Sequence, residues 1–323
     1  MKVLVVSNMY PGRNKDFKYA GIFVKEQVDA LNGEKDIECD LFIIDGYKSK
    51  LHYLFGTLKL YIHLLFNRYD IIHAHYGLSA MFVLFNPFKR KWNNVVLTLH
   101  GGDILSAQGK KIQVMLTKMI LPKVGAVLTL NEEMNRVVKN YRKDYVICPC
   151  GVDASFFCKE DNSERINTVV FPGRKDRKVK NYPLFEEIIQ CYEDKYEPLS
   201  IIVLDGYKRD EVKKILIESS VMLMTSISEG SPQAIKEAMS CDMAILSTNV
   251  GDVSVLLEGV SGADIFEKGE CPKLIADKLN KVIIAAKKHS GERRKKLKML
   301  GLDNRQIVKR LKLIYEKAVN NEK

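Results

Sequence analysis

Much is missing from this sequence, and each absence removes a class of protein. Among its seven cysteines there is no Cys-x-x-Cys pair, and Cys148 and Cys150 stand too close together to suggest a zinc site. An odd, scattered set of thiols suits a reducing cytoplasm better than a disulfide framework. No apolar run is long enough to span a bilayer, because Lys59 and His63 interrupt the best candidate, Leu51 to Phe66. The opening Met1-Lys-Val-Leu-Val-Val6 runs into Ser7-Asn8 without a cleavage site, so it reads as a buried first strand and not as a signal peptide. After that strand, Ser7-Asn-Met-Tyr-Pro-Gly12 does not supply the Gly-x-Gly-x-x-Gly of a dinucleotide oxidoreductase, and there is no Walker loop. There is no Asp-x-Asp metal motif, no zinc finger, basic zipper or aromatic ribonucleoprotein motif, no repeat of solenoid length and no low-complexity tract.

What is present describes a globular protein of two domains. The chain has 323 residues, 46% hydrophobic and 28% charged, enough to bury two cores. Its net charge of +11 either serves solubility alone or favours an anionic partner, a phosphorylated substrate or an anionic membrane face ahead of nucleic acid, for which no motif is present.

Short β-branched runs alternate with amphipathic stretches throughout, which predicts α/β architecture with parallel, doubly wound sheets. Expected strands are Val3–Ser7, Cys39–Ile44, Ile71–Ala74, Val95–Leu99, Ala126–Leu130 and Val146–Cys148, with helices such as Phe23–Leu31, Ile112–Leu121 and Glu132–Asn140 between them. The pattern restarts beyond Cys148-Pro-Cys-Gly-Val-Asp153, with strands at Thr168–Phe171, Ile201–Leu204, Val221–Thr225, Ala244–Ser247 and Ala263–Phe266. The expected domains are therefore 1–153 and 154–301, both Rossmann-like, with a closing amphipathic helix over 302–323 that packs back on the first. Ligands of such sheets bind beyond the carboxyl ends of the strands, so the expected site is a cleft between the two domains.

The most specific segment is Thr225-Ser-Ile-Ser-Glu229-Gly-Ser-Pro-Gln-Ala-Ile-Lys-Glu237-Ala-Met. A strand ends at Thr225, a loop carries Glu229 and Gly230, and a helix opens with Ser231 as its expected N-cap and Pro232 in its first turn. Free N–H groups there, with the positive end of the helix dipole, suit phosphate or sugar hydroxyls. Carboxylates accept hydrogen bonds from paired hydroxyls, so Glu229 and Glu237 can grip a sugar and a ribose.

This string resembles the Glu-x7-Glu signature of the family-four retaining glycosyltransferases, which have the GT-B fold, and within them the teichuronic-acid and capsular-polysaccharide branch. The resemblance spans nearly the whole chain. It includes Tyr19-Ala-Gly21, Asp70-Ile-Ile-His-Ala-His75-Tyr-Gly, Thr98-Leu-His100-Gly-Gly-Asp103, Pro149-Cys-Gly151-Val-Asp153 and Phe171-Pro-Gly-Arg174 through Lys180-Asn-Tyr. It implies catalytic roles for His100 near the anomeric carbon, Glu229 on the donor sugar, and Arg174 and Lys180 on the departing diphosphate. Lys178 rivals Lys180, because the spacing differs from the usual one by a residue. The donor would also be held by Gly21, Gly230, Ser231, Pro232, Gln233 and Glu237, with His75 and Asp103 on the acceptor side. His73 and His75, separated by Ala74, are expected to point to opposite faces of their strand, one of them buried.

The resemblance implies a nucleotide-sugar co-substrate, UDP ahead of GDP, no cofactor and no metal. Its acceptor would be a saccharide, lipid-linked, in cell-surface polysaccharide synthesis. Basic-aromatic segments 47–68 and 85–92 suggest a cytoplasmic protein peripheral on the inner membrane face. Leu51–Phe66 also reads as a core helix, with only its basic face free for lipid. A membrane-docked scaffold with a weak site is the alternative from another class. The second domain is short after Leu204, where many relatives carry another strand and loop, which leaves the nucleobase open.

Overall fold

The computed structural model describes residues 1–13, 19–46, 49, 51–85, 91–105, 110–159 and 164–320. It divides into two units, one of Met1–Cys150 with Asn304–Lys323 and the other of Gly151–Asp303. The sequence placed this division after Asp153. It falls after Cys150 because the Val152 N–H donates to Leu302 O at 2.9 Å, which ties the Gly-Val-Asp stretch to the second unit.

The first unit is built on a six-stranded parallel sheet in the order β2-β1-β3-β4-β5-β6. Its strands are β1 (Lys2–Ser7), β2 (Glu38–Ile43), β3 (Ile71–His75), β4 (Trp92–Thr98), β5 (Val124–Thr129) and β6 (Val146–Ile147). Central strands covered on both faces read as continuous apolar runs, as β1 does with Val3, Leu4, Val5 and Val6 all buried. The connections are α1 (Ile22–Asn32), α2 (Leu51–Phe66), a 3-10 turn (Gly77–Val83), α3 (Lys111–Ile120) and α4 (Glu132–Val138). The last helix of the chain, Asn304–Asn320, packs on α1 and on β3, β4 and β5 through Ile307, Leu311, Tyr315 and Ala318.

Two sequence readings need correction here. Helix α2 meets the core along one side only: Gly56, Thr57 and Leu60 are buried and Tyr53, Tyr61 and Leu64 pack half-buried against the core, while the large apolar side chains of its other side stay exposed. Trp92 is not at a surface but opens β4 and is buried; residues 86–90 of that basic-aromatic segment, and 47, 48 and 50 of the other, lie outside the described residues.

The second unit is a five-stranded parallel sheet in the order β11-β10-β9-β7-β8. Its strands are β7 (Ile166–Phe171), β8 (Ser200–Val203), β9 (Ser219–Met224), β10 (Ala244–Thr248) and β11 (Ala263–Phe266). Its helices are α5 (Tyr182–Glu193), α6 (Arg209–Glu218), α7 (Gln233–Ser240), α8 (Val253–Leu257), α9 (Pro272–Lys288) and α10 (Glu292–Met299); the closing helix is thus α11. Strand β8 ends the sheet, with only α6 between it and β9.

In each sheet the first strand is flanked on one side by the second strand and on the other by the third. The chain reverses direction there, and this switch point is where side chains and loops at the strands' carboxyl ends can surround a ligand. It lies between β1 and β3 in the first unit and between β7 and β9 in the second.

Candidate active site

In the second unit the loops leaving β7 and β9 are sewn together. Buried Thr225, just past β9, donates its hydroxyl to Lys180 O and Asn181 O, both at 3.0 Å, and the Ile227 N–H donates to Val179 O at 2.8 Å. This stitching brings Lys180 Nζ to 2.7 Å from Glu229 Oε1, with the two side chains only 12% and 19% exposed. Lys180 lies along Gly173, where a Cβ would come 3.1 Å from its Cε. Lys178 is exposed, so of the two rival lysines it is Lys180 that meets Glu229. Arg174, on the same loop, is half-buried and holds Asp176 with both Nε and Nη2; this contact keeps the Asp176 carboxyl below its usual range.

Helix α7 starts one residue later than expected. Pro232 is its N-cap and Gln233 its first residue, and no side chain caps it. Ser231 lies one residue before the cap, and its hydroxyl donates to Asp252 Oδ2 at 2.6 Å. Gln233 donates from Nε2 to Gly151 O at 2.7 Å. Gly230 is fixed by its neighbour across the loop: Gly251 has φ +63, and a Cβ there would stand 2.4 Å from Gly230 O and 2.9 Å from Glu229 O. Only glycine combines that backbone conformation with so close an approach.

Glu237 is buried on α7, with Oε1 2.8 Å from Arg209 Nη2. The Arg209 guanidinium in turn lies 4.6 Å from the centre of the Phe157 ring. Both motif glutamates are therefore ion-paired, Glu229 to Lys180 from the loop after β7 and Glu237 to Arg209 at the start of α6. Between them Lys236 is fully buried, and its charge opposes the upward push that burial gives the Asp252 carboxyl. Ser226 Oγ, Gln233 Oε1 and Asp252 Oδ1, all along this one stretch, are buried without a hydrogen-bond partner among the described residues. Native proteins leave few such groups, and they gather where a ligand completes the bonding.

In the first unit a histidine cluster stands at the carboxyl ends of β3 and β4. His73 and His75 do not point to opposite faces. Residues two apart in a strand share a face, and here their rings stack with centroids 4.4 Å apart. His73 bonds through Nδ1 to Tyr315 Oη at 2.6 Å and through Nε2 to Thr98 Oγ1 at 2.7 Å. His75 Nδ1 lies 3.1 Å from His100 Nε2. His100 is half-buried, its ring 4.2 Å from that of Tyr76 and 4.9 Å from that of Phe23. Burial lowers His75 to about 3 and holds His73 well below the usual histidine range, the neighbouring His75 and His100 adding to it.

Asp103 is buried too and accepts the N–H of His100 at 3.0 and 3.2 Å and that of Gly77 at 3.1 Å. Burial raises its carboxyl to about 6 against those bonds. Both residues expected on the acceptor side, His75 and Asp103, thus lie inside, where they hold His100 in place. Gly21 caps α1 at φ +78, where a Cβ would be 2.4 Å from Met9 O.

Sequence reasoning missed Arg209 and Phe157, which no motif flags and which sit far from Glu237 along the chain. It gave Asp252 no role either. Among the described residues no group of His, Cys, Asp or Glu is arranged to hold a metal ion, and no helix is long and apolar enough to cross a membrane.

Known proteins resemble both units. The family model described as Glycosyltransferase Family 4 matches residues 3–156, and that described as Glycosyl transferases group 1 matches residues 173–284. A Bacillus subtilis protein named as the teichuronic acid biosynthesis glycosyltransferase TuaC is 24% identical over 216 residues, 58% of this chain; the match spans only 55% of that protein. Among solved structures, sucrose-phosphate synthase of Thermosynechococcus elongatus aligns with a TM-score of 0.78 at 14% identity, covering 99% of this chain and 100% of that one. HepE of Anabaena aligns with a TM-score of 0.70 at 14% identity, covering 96% and 98%. At such identities the structural likeness establishes the fold alone.

Proposed function

We propose, since the chain belongs to the glycosyltransferases of family 4 and group 1 with the GT-B fold, that it moves a sugar from a nucleoside-diphosphate donor to a saccharide acceptor with retention of configuration. The observation that carries this reading is the pair of ion-paired glutamates, Glu229 with Lys180 and Glu237 with Arg209, at the switch point of the second sheet. Departure of the nucleotide builds negative charge on the diphosphate and positive charge on the sugar ring. Lys180, Arg174 and the uncapped amides of α7 are the groups that stabilise the former, Lys180 exchanging Glu229 for phosphate oxygen. Glu229 then holds the donor sugar's hydroxyls and Glu237 the ribose, each as an acceptor of paired O–H groups. The unpartnered Ser226, Gln233 and Asp252 atoms suit the remaining hydroxyls.

His100, oriented by His75 and Asp103, has the role of acting near the anomeric carbon, and the leaving phosphate takes the acceptor's proton. UDP ranks ahead of GDP, since HepE has been solved with UDP and with UDP-glucose. Side-chain cations take the part a divalent metal plays elsewhere. The acceptor is lipid-linked, in polysaccharide synthesis at the cytoplasmic face of a membrane. Calorimetric titration of UDP and GDP, with and without excess chelator, tests the reading. It predicts binding that chelator does not alter; no binding of either nucleotide leaves the scaffold alternative, and binding abolished by chelator removes the metal-free mechanism.

A further inference from the structure

Helix α2 carries its apolar surface on the outside. Leu54, Phe55, Leu58, Ile62, Leu65 and Phe66 are each 50–82% exposed. At about 100° per residue they fall within an arc of about 120°, directly opposite the buried stripe of Gly56, Thr57 and Leu60. Helix α3, packed like α2 against the 3-10 turn Gly77–Val83, adds exposed Ile112, Met115 and Met119. Contiguous apolar surface of this extent marks a docking face, since scattered exposed leucines do not line up on one side of a helix.

Along this stretch of the chain the charge is nearly all of one sign. Residues 46–131 hold eleven Lys or Arg and only two acids, Asp70 and Asp103. Asp103 is buried, and Asp70 accepts the Lys2 N–H at 2.7 Å. Neither α2 nor α3 contains an acid, and Lys59, Lys110, Lys111 and Lys123 are exposed on or beside them. Two copies of this face would bring like charges together in a self-complementary contact. An anionic bilayer meets both features, acyl chains taking the stripe and phosphates the lysines.

We propose that the α2–α3 face docks on an anionic lipid surface, with the apolar stripe of α2 inserted below the headgroups. The proposal rests on the sugar-transfer reading only for its purpose, the delivery of a lipid-linked acceptor. Nucleotide titration and lipid binding are measured separately, so either can fail alone.

The test is cosedimentation with phosphatidylcholine vesicles with and without phosphatidylglycerol. The protein is expected to bind the phosphatidylglycerol vesicles. Phe55→Ser combined with Leu58→Ser should lower the partition coefficient about a hundredfold or more, while Leu313→Ser, at an equally exposed leucine of α11, changes nothing. Lys59→Glu with Lys111→Glu should erase the preference for phosphatidylglycerol. As a readout that needs no loss of binding, Phe66→Trp should shift its emission to the blue on vesicles and be quenched by brominated lipid; the native Trp92 is buried in the fold. No binding to phosphatidylglycerol vesicles, equal binding by the Phe55/Leu58 variant, or an unquenched Trp at position 66 overturns the proposal. So does concentration-dependent dimerisation that the Phe55/Leu58 substitutions abolish.

Discussion

Glu229 and Glu237 belong to one motif, yet their substitutions should fail in different ways. Glu237 is buried and pairs with Arg209, and in the proposed complex it accepts hydrogen bonds from the ribose, which free nucleotide and sugar donor share. Glu237→Ala removes a charged hydrogen-bond acceptor worth roughly 1.5–3 kcal/mol. It also frees Arg209, whose attraction to the diphosphate returns no more than about 1 kcal/mol at a partly exposed site. The loss wins by about 0.5–3 kcal/mol, so UDP or GDP affinity should fall by between about twofold and about 150-fold. In the same proposed complex Glu229 holds the sugar, which free nucleotide lacks. Glu229→Gln keeps an oxygen for Lys180 and relaxes the ion pair, so nucleotide affinity should hold or rise slightly while turnover drops. Calorimetry with UDP and GDP, paired with initial rates, reads both quantities. Nucleotide affinity lost in Glu229→Gln and kept in Glu237→Ala would reverse the assigned roles and refute the reasoning.

Three further outcomes are expected. Gly251→Ala should cost about 2–4 kcal/mol, about 1–2 for its left-handed backbone and the rest for the clash with Gly230 O, and should slow turnover; Gly259→Ala, at φ +69 with open space around it, should cost only the backbone part, and equal losses in two denaturation titrations would discount the close approach. Thr225→Val should weaken nucleotide binding without touching any ligand group, because Lys180 and Asn181 lose a hydroxyl worth about 1–3 kcal/mol in buried bonds; unchanged affinity would mean that Lys180 is positioned some other way. Acid should destabilise the first unit. His75 drops to about 3 from 6.5, and His73 is lowered likewise, so the unfolded chain takes up their protons as pH falls below 6.5. Asp103, raised to about 6 from 3.8, gives the opposite slope between those values. Two protons against one leave a loss of about 1.4 kcal/mol per pH unit between pH 6 and 4; melting curves that stay flat there would show that the histidines are not held neutral.

The strands were legible because parallel sheets bury both faces, so that Val3–Val6 of β1 and Val221–Met224 of β9 are unbroken apolar runs. The Glu229–Glu237 helix start was legible in outline, since the Gly-Ser-Pro step interrupts an otherwise regular strand-to-helix pattern. Its cap was misread. Ser231 has the right chemistry to cap α7, but the helix opens one residue later, with Pro232 at its cap, and the Ser231 hydroxyl is held by Asp252 from the turn after β10. Helix α2 was read as a core helix because apolar residues cover nearly all of its surface, and nothing local says which side meets the sheet.

Sequence alone therefore determined the order of elements, the parallel sheets and the two motif glutamates, all of which follow from short-range periodicity and turn chemistry. Tertiary structure alone decided what each charged group faces. It paired Arg209 with Glu237, chose Lys180 over Lys178 for Glu229, and joined α11 to the histidine cluster through Tyr315 and His73. Such pairings depend on which loops the switch points bring side by side, a distance in space that spacing along the chain does not encode.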